Sequence, residues 1–237
     1  MSSKSKMAGK RKDWSRPVRL LGLALIASFA MSAFAAAGAS ALSISPAGSA
    51  LKPIGYTVST HAITVTTESQ TKRSCSGSSA GTGSFTSGTG GPLKLTLAGC
   101  TFGSASCTSA GQPTGSIATR SLTANLVYLD AAHTKFGLLL SPSGSETVAE
   151  FDCGFFGHFV WTGSLIGQIT KPSLGATSAQ ATLILNSTSS GVQTYQQVEG
   201  TGVKHRITES RNGGAADGLA LEAELTINLQ QPVTFNP

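Results

Sequence analysis

The chain has 237 residues, a formal net charge of +6 and only 12% charged residues. Seven of the 17 Lys and Arg residues lie before residue 20, where Asp13 is the only acidic residue, so the remainder carries ten basic and ten acidic groups. This balance excludes the net basic surface through which many proteins bind nucleic acid or anionic membranes, and we predict no nucleic-acid partner.

The first 41 residues have the layout of a secretory signal peptide. The basic segment leads into an apolar stretch from Leu20 to Phe34 and then into a string of small residues at 35–41. We predict a signal peptide at residues 1–41, cleaved between 35 and 41, and a secreted, extracellular mature chain without a membrane span. The alternative is an uncleaved signal segment that anchors the chain, but about fifteen apolar residues fall short of the roughly twenty that span a bilayer.

Residues 42–237 are predicted to form a single all-β domain. Near the carboxyl end, apolar side chains alternate with polar ones, which indicates a strand with one buried face. That face comprises Leu219, Leu221, Ala223, Leu225, Ile227 and Leu229.

Further short segments with strand character are separated by Gly, Pro, Ser and Asn turn signals. They are 62–68, 93–97, 122–128, 135–140, 147–153, 159–169, 179–185, 195–198 and 203–208. The Ser, Gly and Thr-rich stretch from Ser74 to Gly91 is predicted to be a long loop. About ten strands and no long amphipathic helix predict an antiparallel β-sandwich or barrel, and the pattern does not choose between the two.

Four cysteines in an exported chain predict two disulfides. They are Cys75, Cys100, Cys107 and Cys153. Three pairings are open, and the short loop between Cys100 and Cys107, which contains Gly103, favours joining those two. Cys75 would then pair with Cys153.

No cofactor or metal site is predicted. The cysteines lack metal-ligand spacing, and the four histidines are isolated from one another in the sequence. They are His61, His133, His158 and His205.

The central segment, residues 75–170, resembles a group of uncharacterised secreted β proteins with cysteines from high-GC Gram-positive bacteria. The similarity lies in the Leu-Thr-Leu-Ala-Gly-Cys sequence at 95–100, Cys107, Thr-Gly-Ser-Ile-Ala-Thr at 114–119, Phe-Asp-Cys-Gly at 151–154 and Val-Trp-Thr-Gly-Ser-Leu-Ile-Gly at 160–167. The resemblance implies a shared fold and oxidised cysteines, and it implies no activity or catalytic residue.

The candidate site lies between residues 146 and 161. Glu150 and Asp152 are two apart on a predicted strand, which places both carboxylates on one face, and aromatic residues surround them. Paired carboxylates beside aromatic rings are typical of clefts that handle sugars. We predict that Phe155, Phe156 and Trp161 bind the ligand. The opposing interpretation is that the aromatics fill the core while the acids face water.

The triplet Glu150-Phe151-Asp152 also resembles the first half of the Glu-x-Asp-x-(x)-Glu strand of laminarinase-type β-glucanases. Cys153, Gly154 and Phe155 follow it, so the second glutamate of that pattern is absent. The resemblance therefore leaves the acid/base role without a residue.

We expect a structural or ligand-binding protein outside the membrane, with a cell-surface or environmental glycan or cell-wall polymer as the partner if it binds one. The alternative is a jelly-roll-type glycoside hydrolase that uses Glu150 and Asp152. A purely structural protein of the cell envelope is the third hypothesis.

Overall fold

The computed structural model describes residues 42–46 and 53–237, so the predicted signal peptide lies outside the described residues. All of them belong to one compact unit, Ser40–Pro237. They form 17 strands, one 3₁₀ turn and no α-helix. The strands are β1 (Ser43–Pro46), β2 (Ile54–Thr60), β3 (Ile63–Thr67), β4 (Lys72–Cys75), β5 (Ser79–Phe85), β6 (Gly90–Leu97), β7 (Cys100–Phe102), β8 (Ala105–Ser106), β9 (Ile117–Ala118), β10 (Leu122–Tyr128), β11 (Phe136–Pro142), β12 (Thr147–Asp152), β13 (His158–Gly163), β14 (Leu165–Lys171), β15 (Thr177–Leu185), β16 (Ile207–Arg211) and β17 (Asp217–Asn236), and the 3₁₀ turn is Gly154–Phe156.

Eight strands close into an antiparallel barrel, which confirms the predicted all-β antiparallel class. Of the two predicted architectures, sandwich and barrel, the structure is a barrel with additional strands. The order around it is β2, β5, β6, β10, β11, β14, β15 and β17, and β17 pairs again with β2. Closure occurs at β17, where Leu225 pairs with Leu183 of β15 and Ile227 pairs with Val58 of β2. A closed barrel leaves none of its strands with an unpaired edge.

Six of the other strands form a second circuit that shares β17, whereas β1, β8 and β9 pair at its margins or at those of the barrel. From the first residues of β17 the pairing runs through β3, β4 and β7, and it returns to β17 through β12, β13 and β16. Residues 107–108 complete the circuit. Cys107 donates its backbone N–H to Cys100 of β7, and Thr108 pairs with Asp152 of β12. The strand β17 therefore contributes to both circuits, with its first residues in the second circuit and its later residues in the barrel.

The core follows from period-two burial along these strands. The six predicted core positions of β17, from Leu219 to Leu229, are all buried, whereas Glu222, Glu224 and Asn228 between them are exposed. Close approach of neighbouring backbones is permitted by glycine. A side chain at Gly137 would collide with the carbonyl of Gly167, and only glycine has no Cβ to place there.

The predicted loop from Ser74 to Gly91 was wrong. This stretch contains the end of β4, the whole of β5 and the start of β6. Period-two burial is present in β5, but its buried positions include Ser79 and Gly81, which carry no hydrophobic signal. The predicted strand at 159–169 divides into β13 and β14 at Ser164, and residues 195–198 lie outside the strands.

All four cysteines form disulfides, as predicted, but the predicted pairing was wrong. The bonds are Cys75–Cys100 and Cys107–Cys153. Cys75 and Cys100 face each other across the β4–β7 ladder, and Cys107 lies beside the end of β12. The pairing therefore follows from which segments are neighbours in the sheet, and not from the short sequence separation of Cys100 and Cys107. Cys75–Cys100 joins two strands of the second circuit, and Cys107–Cys153 joins the segments that follow β8 and β12.

Candidate functional site

The two carboxylates predicted from the sequence face the same side of β12. Phe151, between Glu150 and Asp152, points into the core and is 1% exposed, because successive residues of a strand point to opposite faces. On the neighbouring strand β13, His158 lies opposite Asp152 in the antiparallel register. The loop at 153–157 that joins these strands therefore brings an imidazole to the carboxylates.

His158 bridges both acids through its two ring nitrogens. Nδ1 lies 3.1 Å from Oδ1 of Asp152, and Nε2 lies 3.2 Å from Oε1 of Glu150. Arg120 donates from Nη2 to Oε2 of Glu150 at 3.0 Å. All four side chains are substantially exposed, so these contacts contribute little to stability. We call these four residues the acid–imidazole cluster.

A cleft of about 580 Å³ lies over the acid–imidazole cluster. This volume is within the range of sites for small organic ligands. Polar side chains dominate the lining and provide both donors and acceptors. They include Lys94, Ser109, Gln112, Thr119, Arg120, Ser121, Glu150, Asp152 and His158.

The three predicted ligand-binding aromatics do not share one surface. Phe155 is 80% exposed and stacks on the half-buried Phe156, at 4.2 Å between ring centroids. Phe156 packs in turn on Phe102, at 4.3 Å. Trp161 is 1% exposed and packs edge-on against Phe151, so it is a core residue and lies outside the surface that a ligand can contact.

A second polar cluster lies inside the second circuit, where the sequence predicted none. Arg73 of β4 donates from Nη2 to Oε1 of Glu209 on β16 at 2.7 Å, and the indole N–H of Trp161 donates to Oε2 of Glu209 at 2.8 Å. The side chains of Arg73 and Glu209 are only 5% and 6% exposed. The guanidinium also lies over the rings of Phe102 and Phe159, at 4.6 and 4.4 Å from their centroids.

Burial disfavours the charged form of both members of this pair. It raises the pKa of the Glu209 carboxyl, against the opposing effect of Arg73 and of the hydrogen bond from Trp161. It lowers the pKa of the Arg73 guanidinium, against the opposing effect of Glu209. Charged groups held in unfavourable surroundings beside a cavity are candidates for functional residues.

No family model, curated protein or solved structure matches this chain. The site must therefore be interpreted from its own geometry.

The four side chains of the acid–imidazole cluster are paired with one another. Both carboxylates are held by one imidazole, and Glu150 is also held by Arg120, so each acid already has a partner. Because the two ring nitrogens of His158 point to different acids, these three side chains do not converge on one point. Among the described residues there is no group of three side chains suited to hold a metal ion.

Sequence reasoning missed His158 and Arg120. His158 could have been found from the hairpin, since Gly154 and Gly157 mark a turn that places residue 158 opposite residue 152. Arg120 carries no such signal, because it reaches Glu150 from a segment thirty residues earlier in the chain.

In the part of the chain that the structure describes, no helix has the length and apolarity to cross a membrane.

Proposed function

We propose that the protein is exported and acts outside the membrane as a non-catalytic binding protein for a glycan. The observation that carries the proposal is the loop at 153–157. It carries Phe155, the most exposed large apolar side chain among the described residues, in the turn that joins Asp152 to His158, two residues that line the polar cleft. Sugars present apolar faces and polar edges, so an exposed ring beside a polar cleft suits them. Two disulfides fit an oxidising compartment.

The test is retention on insoluble polysaccharide. The oxidised protein is incubated with purified cell wall and with several insoluble glycans, and protein depletion and released reducing sugar are measured in the same tube. We expect depletion without sugar release. Phe155→Ala should weaken retention at least tenfold, because the stacking surface is lost.

Val203→Ala is the matched control. Val203 is 54% exposed and apolar, and it lies outside the loop at 153–157. Equal losses with both variants would show non-specific adsorption and would refute the proposal. Absence of depletion on every polymer would also refute it and would favour the structural envelope protein.

The glycoside hydrolase is the second candidate, because Glu150 and Asp152 do face one cleft. Release of reducing sugar that Glu150→Gln abolishes would establish it. In that case both carboxylates would have to leave their bonds to His158 during the reaction, since a retaining mechanism needs one acid as nucleophile and the other as proton donor.

A further inference from the structure

A smaller cavity lies at the end of the second circuit where its turns meet. These turns are residues 68–71, 103–104, 153–157 and 212–216. The cavity has a volume of about 170 Å³, and we call it the mouth. At about 30 Å³ for each water molecule it has room for about six waters, and it is smaller than the pockets that hold drug-sized ligands.

The floor of the mouth is the buried pair of Arg73 and Glu209. Nε of Arg73 is buried and has no hydrogen-bond partner among the described residues. Nη1 of Arg73 lies 2.7 Å from Oε2 of Glu209, close enough for charge attraction, but it makes no hydrogen bond of acceptable geometry. The guanidinium is therefore not fully satisfied by the protein.

Stability does not explain this arrangement. A buried ion pair is often no more stabilising than apolar side chains of the same volume, and a buried donor without a partner is costly. The rest of the second circuit is filled by apolar residues such as Phe151, Phe159 and Leu219. Among the described residues, the buried charged side chains are Arg73 and Glu209, and both lie next to the mouth, where a ligand could use them.

The charges of the mouth indicate a neutral ligand with several hydroxyls. Its four charged residues are two cations, Arg73 and Arg211, and two anions, Glu209 and Asp217, so a ligand with net charge gains no net attraction. Hydroxyl groups can donate to carboxylates and accept from guanidinium groups. Ser69 at the rim adds a further hydroxyl.

We propose that the mouth binds one neutral sugar unit, the end of a glycan chain. This inference rests on the proposed function, and it adds a terminal subsite to the surface around Phe155. The two lie close together, because Phe156, on which Phe155 stacks, packs against Phe102 of the mouth and accepts a hydrogen bond on its carbonyl from Nε of Arg211.

Trp161 supplies the probe for the test. The chain has two tryptophans, and Trp14→Phe leaves Trp161 as the only indole, bonded to Glu209 at the floor of the mouth. The indole N–H resonance of this variant is followed by NMR during titration with methyl glucoside, methyl galactoside, methyl mannoside and N-acetylglucosamine. At least one should give a saturable shift with a Kd of about 1 mM, the affinity expected of a ligand of this size.

Ala215→Tyr is the blocking variant, because Ala215 is exposed and lines the mouth. It should weaken sugar binding at least tenfold. Ala216→Tyr is the matched control, since Ala216 is the exposed neighbour and does not line the mouth, and it should bind as the parent does.

No saturable shift with any of the four sugars would overturn the inference, and so would equal affinity in both tyrosine variants. Polysaccharide retention without an indole shift would refute the mouth and leave the proposed function standing. An indole shift without retention on any polymer would refute the proposed glycan function and retain the mouth as a site for free sugar.

Discussion

Replacing Trp161 by alanine should remove a large part of the folding free energy. Trp161 is 1% exposed, packs on Phe151 and donates to the buried carboxylate of Glu209. Truncating a buried tryptophan costs about 3–5 kcal/mol, and a lost hydrogen bond to a charged group costs about 1.5–3 kcal/mol. The combined loss, about 5 kcal/mol or more, is comparable to the entire stability of many domains.

The experiment separates packing from hydrogen bonding. Unfolding by guanidinium chloride is followed by far-UV circular dichroism, since the variant lacks the indole of Trp161, which reports on the folded core. Trp161→Phe retains an aromatic ring and should lose about 1.5–3 kcal/mol, mostly from the missing N–H. Phe155→Ala is the control, and it should change stability by less than about 0.5 kcal/mol, because Phe155 is exposed.

The burial argument would be refuted if the free energy of unfolding of Trp161→Ala lay within about 1 kcal/mol of the wild-type value. A wild-type stability for Trp161→Phe would show that the bond to Glu209 contributes nothing.

Two further predictions concern the disulfides and the pH dependence of stability. Replacing Cys107 and Cys153 by alanine should lower the free energy of unfolding by about 4 kcal/mol, and removing the other disulfide should lower it by about 3.5 kcal/mol, because the linked residues are 46 and 25 positions apart. Denaturant midpoints measure both losses. Peptide mapping of the wild type that linked residue 100 to residue 107 would contradict the pairing. Hydrogen bonds from the hydroxyl and backbone N–H of Ser69 lower the pKa of Asp217, so the folded state binds this proton more weakly than the unfolded chain. The stabilisation is present above the ordinary pKa of about 4 and is lost as the pH falls through the lowered value. Asp217→Asn should therefore destabilise the protein at pH 7, and the difference from the wild type should shrink in acid; a difference that persisted unchanged at low pH would contradict this assignment.

The candidate site was only partly predictable from the sequence. Spacing alone placed Glu150 and Asp152 on one face, since that depends only on the alternation of side chains along a strand. The same rule places Phe151 on the face of β12 opposite to the acids, and Phe159 and Trp161 on the face of β13 opposite to His158. It does not say which face is buried. The partners of the acids, Arg120 above all, depend on which strands become neighbours.

The sequence by itself determined the all-β class, the strand at 219–229 with its buried face, and the presence of enough cysteines for two disulfides. These features depend on local periodicity and composition. The closure of the barrel, the second circuit, the pairing of the cysteines and the meeting of Arg73 with Glu209 were decided only by the tertiary structure. Strand alternation specifies a face but not a partner, and Arg73 and Glu209 lie 136 residues apart, joined only because β4 and β16 close the same circuit.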